Sequence, residues 1–136
     1  MHEIFDHTAD LGLRVRAASF EALCEEAVRG LAKVIADDTA AIQLVATETL
    51  SVTGDEPVWL LFDLLRELLA AFDLRQMLFA ECRVSCTATG LRAECWGEPF
   101  DPARHQLAHE VKAITQHELD VHQTTTGWEA TLILDI

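Results

Sequence analysis

"LFAECRVSCTATGLRAECW", Leu78 to Trp96, decides the fold class. Leu78, Ala80, Cys82, Val84, Cys86 and Ala88 alternate with Glu81, Arg83, Ser85 and Thr87. That period of two is the pattern of a strand with one face buried. "ATGL" then turns the chain into a second run, residues 91–96. Two such runs joined by a short glycine turn predict an antiparallel hairpin. Strands joined this way need no crossover helix between them.

Upstream, "VWLLFDLLRELLAAF" (Val58–Phe72) is apolar nearly all round, with only Asp63, Arg66 and Glu67 marking a wet side. It predicts a helix starting near Asp55 and more buried than any other in the domain. Pro57 falls in the first turn, where a missing N–H does no harm. Residues 42–53 predict a strand with an irregularity near Thr47, stopped by Gly54. Before them, Phe20, Leu23, Cys24, Ala27, Val28, Leu31 and Ile35 recur at three and four, the core face of another helix. Ser19 is its expected N-cap, with Glu21 in the first turn, and Asp37-Asp38 its expected end. At the N-terminus, residues 3–7 and 11–17 predict two short strands around the "HTAD" corner.

Downstream of the hairpin, "GEPFDPARH" (97–105) is expected to be a loop, punctuated by Gly97, Pro99 and Pro102. Residues 110–122 then predict a strand and "TTTG" a turn. The last strand sets Trp128, Ala130, Leu132, Leu134 and Ile136 against Glu129, Thr131, Ile133 and Asp135. Two helices and six or seven strands, linked by hairpins rather than regular βαβ units, argue for α+β. The expected architecture is one domain, residues 1–136, with both helices packed on a mostly antiparallel sheet.

The chain carries 23 acids against 10 bases, a formal net charge of −13. Such a surface repels phosphate backbones, so tight direct RNA or DNA binding is not expected. Cation binding or docking onto a basic protein is favoured instead. No run approaches the roughly 18–20 apolar residues of a membrane span. "MHEIFDHTAD" lacks the apolar stretch of a secretory signal, so a cytoplasmic protein with no membrane partner is expected. Cys24, Cys82, Cys86 and Cys95 form no C-x-x-C pair and are expected to be buried as small hydrophobes.

The chain has no Walker loop, dinucleotide glycine pattern, H-E-x-x-H or G-x-S-x-G. Three features can still carry chemistry. Asp6, His7 and Asp10 fall within five positions and suit a hard or borderline cation, although the same residues are ordinary turn formers. Lys112 is one of only two lysines and falls in a predicted inner strand, where it would need an acidic partner or an outward path. "LILDI" ends the chain, so Asp135 is followed by Ile136 and its α-carboxylate. If that end lies beside the "HTAD" corner, Asp10, Asp135 and the Ile136 carboxylate together make a donor set for a hard cation. His105 and His109 lie in a proline-containing loop. His117 is five positions from Lys112, which on a regular strand puts the two on opposite faces.

"FDHTADLGLRV", "GEPFDPARH", "EVKAITQHEL" and "GWEATLILDI" stand in the order found in the archease family, and the chain resembles that family from residue 5 to residue 136. Archeases are accessory proteins of RtcB-type tRNA-splicing RNA ligases. Those enzymes join 3′-phosphate or 2′,3′-cyclic phosphate ends to 5′-hydroxyl ends, using GTP and Mn²⁺ through a guanylylated histidine. The resemblance implies an activator that promotes guanylylation and multiple turnover and is not itself a catalyst. It implies a divalent-cation site (Ca²⁺, Mg²⁺ or Mn²⁺) with Asp10 and Asp135 as its acids and Ile136 offering the end carboxylate. Lys112 matches the family's functional lysine. Asp6, His7, Arg104, His105 and His117 match motif positions in supporting roles. Asp6 stands where Glu is more usual, and Gln116 where an aromatic is. Two other readings of the same residues are a general chaperone-like interaction module and an independent metal-dependent phosphoesterase. The second lacks a recognisable nucleophile or metal-activating histidine set.

Overall fold

The computed structural model describes residues 1–7 and 10–136, His7 by its backbone alone. The elements run β1 (His2–His7), β2 (Asp10–Ala17), α1 (Phe20–Ile35), β3 (Ala46–Thr53), α2 (Pro57–Arg75), β4 (Met77–Cys86), β5 (Gly90–Pro99), β6 (Ala113–Gln123) and β7 (Trp128–Asp135). They make an α+β fold with two sheets rather than the single one expected. One has four strands in the order β1-β2-β7-β6, the other three in the order β3-β5-β4, and every pairing is antiparallel.

Both helices touch strands of both sheets, so they form a middle layer. The core follows from that arrangement. Leu13, Val15, Leu132 and Leu134 come from one sheet, Val84, Leu91 and Ala93 from the other, and Leu23, Val28, Leu61, Leu64 and Leu65 from the helices between.

Ser19 caps α1 as expected: its Oγ accepts from the Ala22 N–H at 3.1 Å. The ranking of the helices is reversed, however. α1 has ten buried residues out of 16 and α2 eight out of 19. The apolar surplus of α2 includes Trp59 and Leu74, which face outward at 40% and 83% exposure.

Residues 42–45 are not in the strand. Thr39–Ala41 form a 3₁₀ turn capped by the Asp38 carboxylate, and β3 begins only at Ala46. Its register against β5 is unbroken, so no irregularity falls near Thr47. The bulge lies in β4 instead, between Phe79 and Glu81, opposite Gly97. A Cβ on Gly97 would come within 1.7 Å of the Leu78 carbonyl oxygen, so only glycine allows the strands to close there.

β5 continues through Gly97, Glu98 and Pro99, which were expected to be loop. β6 starts at Ala113, not 110. It is an edge strand, and its register breaks between Thr115 and Asp120. β7 is central and ordered to its end, and Ile136 packs against the core.

Candidate functional site

One end of the four-stranded sheet, where the candidate residues meet, is built by strand register. β2 starts at Asp10 and β7 ends at Asp135, and the two are direct cross-strand partners. Residues paired in this way carry their side chains on the same face of the sheet. Here that face is opposite the one through which the buried Leu11, Leu13, Leu132 and Leu134 meet the core. Both aspartates are half-buried. Like charges set directly opposite one another repel, and a bound cation removes that cost.

Lys112 arrives at the same place. It stands one residue before β6, its backbone N–H donates to the Asp135 carbonyl at 2.7 Å, and Ala113 is the register partner of Asp135. Lys112 is therefore not in an inner strand. It is exposed, at the head of an edge strand. The β2–β7 pairing sets Asp10 opposite Asp135, 125 positions away, and the backbone of Lys112 reaches Asp135 one residue before the β6–β7 pairing begins.

The supporting residues divide. His7 is the backbone register partner of Asp10. Thr8 and Ala9, the middle of the "HTAD" corner, lie outside the described residues. Asp6 pairs with Leu11, so it sits on the face opposite Asp10, and it is exposed. His117 is exposed on the irregular stretch of β6, its N–H donating to Thr115 Oγ1 at 3.2 Å. Glu118 follows it in the left-handed region, at φ 53°.

Arg104 and His105 belong to a second arrangement, centred on a residue the sequence reading passed over. Glu98 is 3% exposed and His105 5%. Glu98 Oε2 accepts from the Gln43 N–H at 2.5 Å, from Arg104 Nη1 at 3.3 Å and from His105 Nε2 at 2.9 Å, while Oε1 accepts from Arg104 Nη2. Asp101 N–H donates to His105 Nδ1 at 2.8 Å, so the ring is the neutral tautomer with its proton on Nε2. Arg104, followed by the Gln43 amide and His105, holds the Glu98 carboxyl down at about 2 against the upward push of burial. The signal for this cluster was present as an acid six and seven positions before an Arg-His pair. Glu98 falls out of phase with buried Leu91, Ala93 and Cys95, so it is covered by chain from outside its own sheet, the returning loop and the Gln43 segment.

Cys24, Cys82 and Cys95 are buried, as expected, but Cys86 is exposed. The strand ends at Cys86, and Thr87 and Ala88 beyond it face solvent. Cys82 and Cys95 are cross-strand partners yet remain thiols. Burial pushes the Cys95 thiol up to about 12 and that of Cys82 higher still. Among the described residues no three His, Cys, Asp or Glu side chains are placed to hold a metal ion. A cation at Asp10 and Asp135 would therefore need further oxygen ligands, water among them, to complete its shell. An all-oxygen set of that kind suits a hard ion.

Among the described residues no helix is long and apolar enough to cross a membrane. The model of the Archease protein family (MTH1598/TM1083) matches residues 2–136. Protein archease of Pyrococcus abyssi is 33% identical over 139 residues, spanning 98% of this chain and 97% of the relative. Protein archease of Methanopyrus kandleri is 33% identical over 138 residues, covering 98% of both chains. The solution structure of Methanobacterium thermoautotrophicum protein 1598 superposes with a TM-score of 0.82 at 28% identity, over 99% of this chain and 98% of that one. The crystal structure of a Thermotoga maritima protein described as an archease and possible chaperone shares the fold. Its TM-score is 0.71 at 19% identity, over 100% of this chain and 98% of that one.

Proposed function

Because the chain belongs to the archease family, we propose that it is the protein cofactor of an RtcB-type tRNA-splicing RNA ligase, promoting the ligase's guanylylation and multiple turnover. In this reading it is an activator and not itself a catalyst. The observation that supports it is the register of Asp10 against Asp135, with the Lys112 amide on the Asp135 carbonyl. These are the acids and the lysine that the family resemblance singles out.

Asp10, Asp135 and the carboxylate of Ile136 would hold a divalent cation, Ca²⁺, Mg²⁺ or Mn²⁺. Bound there, it would supply a hard Lewis acid at the tip of an acidic protein. Lys112 adds a point charge able to pair with a carboxylate or a phosphate oxygen. With a net charge of −13, the chain is suited to dock on the basic channel that an RNA ligase must present, not to grip the RNA itself.

The test is ligation with the cognate ligase in substoichiometric amount. Product should exceed one equivalent of ligase only when this protein is present. Equal turnover without it overturns the proposal.

A second reading, a more general interaction module, is favoured by the exposed Leu44 and Val45, adjacent in sequence at 52% and 73% exposure. It predicts that polar substitutions there abolish partner capture while Asp10→Asn leaves it intact. The ligase-cofactor reading predicts the reverse for turnover.

A further inference from the structure

We infer that Glu98 is a positioning residue for Lys112: it anchors the segment that carries the lysine to Asp135. This rests on Asp10, Lys112 and Asp135 being the working end of the molecule.

The segment 100–112 has no helix or strand of its own. A stretch of that kind follows a defined path only if its backbone groups find partners along it. Its start is held by Glu98 through Arg104 and His105. The local turn closes with Asp101, whose carbonyl accepts from the Arg104 and His105 N–H groups at 3.0 and 2.7 Å. Phe100 stacks on the His105 ring at 5.9 Å.

The middle is tied to the end of α1. Asp37 N–H donates to the Gln106 carbonyl and Ala108 N–H to the Ile35 carbonyl, each at 2.8 Å. Val111 is buried, and Lys112 N–H closes the path on Asp135. Glu98 is thus the buried charge at one end of a strap and Lys112 is its other end. The Gln43 N–H on the same carboxylate ties in the segment between α1 and β3 as well.

The carboxylate is specifically required. All four groups aimed at its two oxygens are donors: the Gln43 amide, two nitrogens of Arg104 and His105 Nε2–H. Glutamine would turn an NH₂ toward one of them. His105 cannot accept that NH₂ by changing tautomer, because its Nδ1 already faces the Asp101 N–H. Glu98→Gln therefore leaves the fold's apolar core untouched and breaks the anchor.

The experiment is residue-resolved amide hydrogen exchange on the full chain. It compares the wild type with Glu98→Gln, with the milder Arg104→Gln, and with Arg75→Gln. The last removes the exposed Arg75–Glu48 pair elsewhere and controls for general destabilisation. The Ala108 and Lys112 amides should exchange at least about tenfold faster in Glu98→Gln and by a smaller factor in Arg104→Gln. Arg75→Gln should not single them out. Unchanged Lys112 protection in both anchor variants overturns the inference, and so does acceleration of all slow amides by one common factor.

Ligase turnover gives a second readout. Glu98→Gln combined with Lys112→Ala should lose no more stimulation than Lys112→Ala alone, and additive losses count against the inference. Failure of the wild type to stimulate any ligase would defeat the proposed function, while the exchange data would still decide the role of Glu98.

Discussion

At the scale of single residues, Asp10 and Glu98 are two acids with opposite settings. Asp10 is half-buried and faces Asp135 across a strand pair, so it holds a like charge in place. Asp10→Ala should abolish stimulation of multiple turnover while shifting unfolding free energy by less than about 0.5 kcal/mol, measured by denaturant titration. Glu98 is buried among donors, and its carboxyl is lowered from 4.5 to about 2. A carboxyl depressed in the folded state adds stability above its unfolded pKa and loses it as pH falls through the folded one. The stability gap between wild type and Glu98→Gln should therefore be full above 4.5 and shrink as pH drops toward 2, read by thermal unfolding. A gap that stays constant over that range would show that Glu98 is not held as a carboxylate. Asp10 could be picked out from the sequence through the family resemblance, since its short polar corner alone reads equally as a turn. Glu98 could not, because its burial depends on Arg104 and His105 folding back over it.

Among the elements, α1 was the most legible. Its apolar residues recur at three and four, and its cap is a local hydrogen bond that needs no tertiary partner. Ser19→Ala should cost about 1 kcal/mol in chemical denaturation, because the Ala22 N–H loses its acceptor. Ser19→Asp should recover most of that. α2 was legible as a helix but not as a burial pattern. A helix apolar on all sides does not say which side is covered, and here Trp59 and Leu74 are left outside. β4 was legible as a strand, but alternation alone could not place its bulge or its end. The bulge lies opposite a glycine on a strand it meets only in three dimensions, and the end leaves Cys86 exposed.

At the scale of the whole molecule, the strand that holds the fold together also carries one residue of the candidate site, Asp135. β7 lies between β2 and β6, and Leu132 at its middle is fully buried against the core. Leu132→Ala should cost roughly 2–5 kcal/mol, whereas Leu74→Ala at 83% exposure should stay within about 0.5. Equal losses in equilibrium unfolding would contradict the layer order. Docking through charge sets a further expectation. Stimulation of a ligase by this acidic chain should weaken as salt rises, since surface attraction is screened within about 10 Å at 0.1 M.

What the sequence determined by itself is whatever depends on neighbours along the chain. That covers the Ser19 cap of α1, the strand periods, the hairpin at Leu78–Trp96, and the acidic and basic residues placed at strand ends. Tertiary structure decided what depends on partners far apart. It divided the strands into two sheets with the helices between them, moved Lys112 out of the strand, and buried Glu98 under a returning loop. The pairing of Asp10 with Asp135 belongs to both. Its residues could be named from the sequence, but their meeting is a matter of register, and register is set by which apolar face each strand must bury.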